Sequence, residues 1–239
     1  MRGLLLCLLM LPFAIHAAEL RVATAANFYL TLNKIKQLYE EKTGHKIVII
    51  RGSTGKLYAQ IIRGAPYDLF FSADSARADR LVSKGKSADN ISEVYAVGQL
   101  VLWRPDVNSS QQLRKILVSG NFKKLAIANP KTAPYGKASI EALKSLELYE
   151  AVKNKLVYGE NISQVVQFVQ SGAADIGLVS RSYVNHDIYW EVAPYLHQPI
   201  NQKMLILKQT KQPLLAKDFF NFLHSNAVRK IIEGDGYQL

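Results

Sequence analysis

Short apolar segments rich in β-branched residues alternate with segments of helical spacing from residue 18 onward. Strands are predicted at 18–24, 46–50 and 68–72, and each is followed by an amphipathic helix. These helices cover 31–43, a segment ending near Arg63, and 75–84. Neighbouring parallel strands need a crossover of about a dozen residues or more, which such helices provide. The alternation therefore predicts an α/β fold built on a parallel sheet.

A second series of the same kind begins near Val97. Further strands are predicted at 99–103, 124–128, 156–158, 175–180 and 203–207. Helices are predicted from 109 or 110 to 118, and at 135–146, 161–169, 214–224 and 226–233, while 181–198 is expected to be irregular. No Gly/Ser-rich linker separates the two series. We therefore expect two lobes joined by strand-like hinges, with lobe I formed by 18–97 and 199–239 and lobe II by 98–198.

The first 17 residues have the features of a secretory signal peptide. Arg2 supplies a positive charge, Leu4 to Leu11 form an unbroken apolar run, and cleavage is expected after about Ala17. An uncleaved membrane anchor is the alternative, but the apolar run is short for a bilayer span. The only cysteine, Cys7, would leave with the signal, so a disulfide framework is excluded. An exported mature chain without cysteine suggests a bacterial periplasmic protein.

Motifs of several enzyme classes are absent from the sequence. The chain has no HExxH, no G-x-S-x-G and no G-x-G-x-x-G, and its histidines lack metal-ligand spacing. The net charge of +11 is spread along the chain without a dense cluster, which favours a surface attractive to anions over a nucleic-acid site. Asp68 and Asp74 could form an acid pair, although aspartates at strand ends are more often caps. We therefore expect no metal ligands, no cofactor, no nucleic-acid partner and no catalysis.

Polar or glycine-rich turns connect a strand to a helix at four places, two in each series. They are 25–27, 52–55, 133–136 and 160–163. Each turn exposes backbone N–H groups and the positive end of a helix dipole at one edge of a sheet. None contains arginine, and Lys56 lies just inside a helix. Neutral donors that converge from two lobes favour a small, fully ionised oxyanion, whose oxygens accept every hydrogen bond.

The sequence around these turns resembles the molybdate-binding periplasmic proteins of ABC importers. The resemblance covers essentially all of the mature chain and rests on TAANF (24–28), GSTGKLYAQI (52–61), GAPYDLFFSAD (64–74), ANPKTAPYGKAS (128–139) and SGAADIGLV (171–179). It implies a two-lobed periplasmic binding protein of type II, with a mixed sheet flanked by helices in each lobe and the ligand in the cleft between lobes. The implied activity is capture of molybdate or tungstate by a monomer and delivery to an inner-membrane ABC permease.

The resemblance also implies four ligand-binding positions. Asn27 matches a Ser or Asn that donates to the oxyanion from the first turn, and Thr54 matches a hydroxyl residue of the second. Tyr135 and Ile162 fall where the third and fourth turns donate a backbone N–H.

Two positions depart from the family pattern. Ser180 stands where many members carry a ligand-binding tyrosine, which suggests the subgroup in which Tyr135 and Asn27 compensate. Thr54 is bulkier than the usual serine, and Ser53 is a candidate for the fifth donor. Two alternatives stay open: a binder of sulfate or another oxyanion, and an exported hydrolase of phosphate or sulfate esters with Asp68, Asp74 or a histidine as base.

Overall fold

A computed structural model describes residues 19–184 and 187–239. The predicted signal peptide, residues 1–17, lies outside these described residues. Within them, no helix combines the length and apolar character that a membrane crossing requires.

Ten strands and nine α-helices alternate along the described chain. The strands are β1 (Glu19–Ala25), β2 (Lys46–Gly52), β3 (Leu69–Ser72), β4 (Glu93–Gly98), β5 (Leu100–Trp103), β6 (Leu125–Ala128), β7 (Leu156–Gly159), β8 (Ile176–Ser180), β9 (Tyr189–Glu191) and β10 (Ile200–Ile206). The helices are α1 (Tyr29–Thr43), α2 (Thr54–Ile62), α3 (Ser75–Ser83), α4 (Ser110–Ser119), α5 (Pro134–Ser145), α6 (Tyr149–Val152), α7 (Ile162–Gln170), α8 (Pro213–Phe222) and α9 (Asn226–Gly234).

The strands form two five-stranded sheets with the same internal plan. The first has the order β2-β1-β3-β10-β4, and β10 runs antiparallel to both of its neighbours. The second has the order β7-β6-β8-β5-β9, and β5 runs antiparallel to both of its neighbours. The expected α/β architecture of two mixed sheets flanked by helices is confirmed.

Helices cover both faces of the first sheet and create two cores. One core joins the sheet to α1, α8 and α9 and includes Phe28, Tyr39 and Phe219. The other joins it to α2 and α3 through Leu57 and Leu81. The second sheet has its own apolar core, in which α4, α5 and α7 take part. Each sheet is therefore stabilised by apolar packing of its own.

Two short strands were not expected from the sequence. β4 lies almost end to end with β5, with only Gln99 between them, yet the two strands belong to different sheets. β9 is a three-residue edge strand within the segment expected to be irregular. Both differences leave the order of the other predicted strands unchanged.

Candidate ligand-binding site

The four strand-to-helix turns lie at the carboxyl ends of paired parallel strands. Ala25 at the end of β1 is in register with Gly52 at the end of β2. Ala128 at the end of β6 is likewise in register with Gly159 at the end of β7. The first two turns are therefore neighbours at one sheet edge, and the last two at the other. In open α/β sheets, ligands bind outside such strand ends.

Each of the four predicted ligand residues lies in the first turn of a helix. Asn27 is in the 3₁₀ turn of residues 26–28, Thr54 begins α2, Tyr135 is the second residue of α5, and Ile162 begins α7. N–H groups in a first turn have no earlier helical carbonyl to bond, and they carry the positive end of the helix dipole. All four residues are at most 3% exposed. The four predicted positions thus supply buried donors.

The third turn also depends on a close approach of main chains. A Cβ atom added at Gly136 would lie 2.0 Å from the Ala128 carbonyl oxygen. Only glycine lets the first turn of α5 lie directly against the end of β6. This contact fixes the backbone around Tyr135 relative to the second sheet.

Two contacts join the second turn to the lobe that carries the other sheet. The Gly55 N–H donates to the Thr132 carbonyl at 2.9 Å. The Lys56 ammonium group lies 2.8 Å from a carboxylate oxygen of Glu160. Thr132 precedes Tyr135 by three residues and Glu160 precedes Ile162 by two. These contacts bring the second turn to both turns of the other lobe.

The first turn meets the other lobe through its carbonyl groups. The Tyr183 hydroxyl donates to the Ala26 carbonyl at 2.8 Å, and the Ser182 hydroxyl donates to the Asn27 carbonyl at 2.9 Å. In a trans peptide the C=O and the next N–H point in opposite directions. The bond to the Ala26 carbonyl therefore fixes the direction of the Asn27 N–H, because the two groups share one peptide plane. The structure is that of a closed cleft.

The side-chain amide of Asn27 is committed within the protein. One N–H donates to Gln202 Oε1 at 2.7 Å and the amide nitrogen also lies 3.2 Å from the Tyr237 hydroxyl oxygen. The donor that this residue can offer a ligand is therefore its backbone N–H. The sequence pattern identified the residue but did not show which of its groups is available.

Two hydroxyls lie at the start of α2. Thr54 Oγ1 accepts a hydrogen bond from the Ala73 N–H at 3.3 Å, which leaves its own proton to donate. Ser53 is 2% exposed, and its hydroxyl has no hydrogen-bond partner among residues 19–184 and 187–239. A buried hydroxyl without a partner costs about 1–3 kcal/mol. Ser53 is therefore the strongest candidate for a further ligand donor.

The side chain of Ser180 is hydrogen-bonded within the protein. Its hydroxyl donates to the Tyr135 hydroxyl at 3.0 Å and lies 2.9 Å from Ser182 Oγ. The pKa of Tyr135 is raised well above its ordinary value, and burial is the largest cause of this shift. Tyr135 therefore keeps its proton at neutral pH.

Two ion pairs lie beside the ligand-binding turns. Lys56 is paired with Glu160, and Arg77 forms an ion pair with Asp74 while also donating to the Lys131 carbonyl at 3.1 Å. The buried positions within the cleft carry hydroxyls and amides. The arrangement therefore offers neutral donors to a guest.

The two aspartates considered as an acid pair have structural partners. Asp68 accepts hydrogen bonds from the Arg21 N–H at 2.7 Å and from the Thr210 hydroxyl at 2.6 Å. Asp74 is the N-cap of α3 and accepts from the Arg77 N–H at 2.8 Å. Across the part of the chain that the structure describes, no group of three or more His, Cys, Asp or Glu side chains is placed to hold a metal ion. The carboxylates of Asp68 and Asp74 are thus both already hydrogen-bonded within the fold.

Comparison with known families gives one match that spans almost the whole described chain. A family described as bacterial extracellular solute-binding protein matches residues 20–238. The match includes all four turns and both sheets.

Individual relatives and a solved structure agree with this match. The chain is 39% identical to the molybdate-binding protein ModA of Azotobacter vinelandii, over 99% of this chain and 94% of that protein. It is 38% identical to ModA of Rhodobacter capsulatus, over 96% of this chain and 91% of that protein. The solved structure of the periplasmic molybdate-binding protein of Azotobacter vinelandii superposes with a TM-score of 0.87 at 34% identity, over 92% of this chain and 99% of that one.

Proposed function

Because this chain belongs to the family of bacterial extracellular solute-binding proteins, we propose that it captures molybdate, and also tungstate, in the cleft between its two sheets. It works in the periplasm as a monomer without catalysis, and it presents the bound oxyanion to an inner-membrane ABC permease. Lobe I comprises 18–97 and 199–239, and lobe II comprises 98–198. The relatives named as molybdate-binding proteins, at 39% and 38% identity, support this choice of ligand.

The observation that carries the proposal is the closure of four buried helix starts on one another. Asn27 and Thr54 come from one sheet edge and Tyr135 and Ile162 from the other. A hydrogen bond and an ion pair join the second turn to the third and fourth turns, and Ser182 and Tyr183 of the other lobe hydrogen-bond to the first turn. Both the free N–H groups and the helix dipoles favour an anion at this place. We assign the backbone N–H groups of these four residues and the hydroxyls of Thr54 and Ser53 as the ligand donors.

The donor chemistry selects among tetrahedral anions. A fully ionised oxyanion accepts hydrogen bonds at every oxygen, and such charge-assisted bonds contribute about 1.5–3 kcal/mol each. The O–H of a protonated phosphate would find only the Ser53 and Thr54 hydroxyl oxygens as acceptors, because backbone N–H groups cannot accept a hydrogen bond. The pocket therefore favours molybdate, tungstate or sulfate over hydrogen phosphate. The size of the anion then separates molybdate and tungstate from the smaller sulfate.

Isothermal titration of the mature chain with molybdate, tungstate, sulfate and phosphate tests the proposal. We expect tight binding of the first two and weak or no binding of the others. In a parallel thermal unfolding experiment, a ligand present at about 100 times its Kd stabilises the native state by about 2.7 kcal/mol. Sulfate binding as tight as molybdate binding would change the ligand assignment. The absence of any binding or thermal shift with all four anions would refute the proposal.

A pair of substitutions at Ile162 tests the backbone donor. Ile162 is the first residue of α7, where proline is tolerated because its missing N–H has no helical partner. Ile162→Pro removes both the donor and the buried side chain, while Ile162→Ala removes only the side chain. We expect Ile162→Pro to weaken molybdate binding about tenfold more than Ile162→Ala. Equal affinities of the two variants would show that this N–H does not bind the ligand.

A further inference from the structure

A chain of buried hydroxyl and amide groups runs behind the cleft and connects two of the ligand-binding turns. It begins at the Tyr135 hydroxyl, which accepts from Ser180, and Ser180 lies 2.9 Å from Ser182 Oγ. The Ser182 hydroxyl then donates to the Asn27 carbonyl at 2.9 Å. The chain of contacts thus passes from the third turn in one lobe to the first turn in the other.

Tyr237 lies where this chain crosses between the lobes. Its hydroxyl donates to the Asn27 carbonyl at 2.8 Å, and its oxygen lies 3.2 Å from the Asn27 amide nitrogen. The same hydroxyl lies 3.1 Å from Ser182 Oγ. One side chain therefore holds the main chain and the side chain of Asn27 and also contacts the other lobe.

The neighbours of Tyr237 fix it at this junction. Gln238 forms two backbone hydrogen bonds with Val97, at 2.7 and 3.0 Å. Val97 belongs to β4, which ends one residue before the chain crosses to the second sheet at Gln99. The Tyr237 ring packs edge-on against Phe28, with ring centroids 5.5 Å apart. Tyr237 is 4% exposed, so the position of its hydroxyl is determined by surrounding protein.

We propose that Tyr237 is a positioning residue for oxyanion capture, because its hydroxyl holds the Asn27 turn in the geometry that the closed cleft requires. The proposal rests on the proposed function and deepens it. Tyr237 does not touch the ligand, since it acts on the carbonyl and the side-chain amide of Asn27. In the closed form it also gains the contact with Ser182, so part of its effect depends on lobe closure. Its loss should therefore accelerate ligand release more than it slows association.

Tyr237→Phe tests this role, with Tyr39→Phe as the matched control. Tyr39 is also buried, packs edge-on against Phe219, and donates its hydroxyl to Asp218 at 2.7 Å. These contacts lie within one lobe, and Tyr39 is toward the C-terminal end of α1, whereas the Asn27 turn precedes its N-terminal end. Both variants lose one buried hydroxyl and keep the ring. We expect Tyr237→Phe to weaken molybdate binding about tenfold, mainly through a faster release rate in stopped-flow measurements. Tyr39→Phe should change the affinity by no more than about twofold, even if it lowers the thermal stability as much as Tyr237→Phe does.

A double-mutant cycle separates positioning from general destabilisation. Combining Tyr237→Phe with Ser182→Ala should cost less affinity than the two single losses together, because the two hydroxyls contact each other across the lobes. An affinity loss that is additive, or one that Tyr39→Phe reproduces, would overturn the proposal. Unchanged affinity in Tyr237→Phe would overturn it as well.

A ligand-free measurement keeps this inference distinct from the choice of ligand. Hydrogen–deuterium exchange of the segment 24–30 should be faster in Tyr237→Phe than in the wild-type protein, and unchanged in Tyr39→Phe. If the wild-type protein bound no oxyanion but this exchange difference appeared, the ligand assignment would fail while the positioning of the Asn27 turn by Tyr237 stood. Equal exchange in the three proteins would refute that positioning whatever the ligand.

Discussion

The Gly55 N–H donates to the Thr132 carbonyl across the cleft at 2.9 Å. The two main chains come so close that a Cβ atom at Gly55 would lie 3.1 Å from both the Cα and the carbonyl oxygen of Thr132. Such distances are tighter than ordinary van der Waals contact, and the neighbouring atoms are backbone atoms that cannot rotate away. The absence of a side chain at this position is therefore a requirement of closure, while the fold of either lobe alone does not need it.

Gly55→Ala should consequently separate ligand affinity from stability. Alanine is the better helix former, and it reduces the entropy of the unfolded chain, so the ligand-free protein should be unchanged or more stable by about 0.4–1 kcal/mol. Closure would be obstructed, so molybdate affinity should fall about tenfold. Calorimetric titration and thermal unfolding without ligand measure the two effects. Gly234→Ala is the control, since a Cβ atom there meets nothing within 4 Å. An equal loss of affinity in both variants would show that a side chain at Gly55 does not specifically obstruct closure.

Ser53→Ala should also lower ligand affinity without lowering stability, but for a different reason. Ser53 is the N-cap residue of α2, but its side chain makes no capping hydrogen bond, and no described residue is its partner. Removal of the hydroxyl should leave the ligand-free protein as stable as before or slightly more stable, because an unsatisfied buried group is eliminated. Molybdate affinity should fall about tenfold, which corresponds to about 1.4 kcal/mol.

Ser225→Ala is the matched control for Ser53→Ala. Ser225 is the N-cap of α9, and its hydroxyl does accept from the Val228 N–H. Its loss should lower the free energy of unfolding by about 1 kcal/mol and leave affinity unchanged. Retention of full affinity in Ser53→Ala would show that this hydroxyl faces away from the ligand.

The fold was largely predictable because short sequence patterns indicate most of its strands and helices. Strand and helix periodicity marked β1, β2 and β6 and the helices that follow them, and Gly44 ended α1 as expected. β4 was missed because no turn residue separates it from β5, although the two strands lie in different sheets. A lobe boundary was expected at residues 97 and 98, but which sheet each of two nearly continuous strands joins is decided by tertiary packing.

The candidate site was predictable only at its strand-to-helix turns. Glycine and polar residues mark the start of a helix, so Thr54 and Ile162 could be placed in first turns from the sequence. The groups that hold the first turn could not be predicted from the sequence, because Ser182 and Tyr237 are 155 and 210 residues away from Asn27 along the chain. An isolated serine and an isolated tyrosine carry no local signal for such contacts. Whether a donor such as the Asn27 amide is already used within the protein is likewise a property of the folded state.

Ligand binding should be independent of pH from about 6 to about 9, because the assigned donors are amides and hydroxyls. Free tyrosine ionises near pH 10, and burial, the largest cause for each residue, raises the pKa values of Tyr135 and Tyr237 above that value. Both therefore keep their protons across this range.

Groups with a raised pKa in the folded state contribute stability below the pKa of the unfolded chain and lose that stability as the pH rises further. The free energy of unfolding should thus decline above about pH 10, and less steeply in Tyr237→Phe, which has one such group fewer. Thermal unfolding up to about pH 11 measures the change in stability. Calorimetric titrations at several pH values measure the affinity. An affinity that changes between about pH 6 and 9 would show that an ionisable side chain binds the ligand.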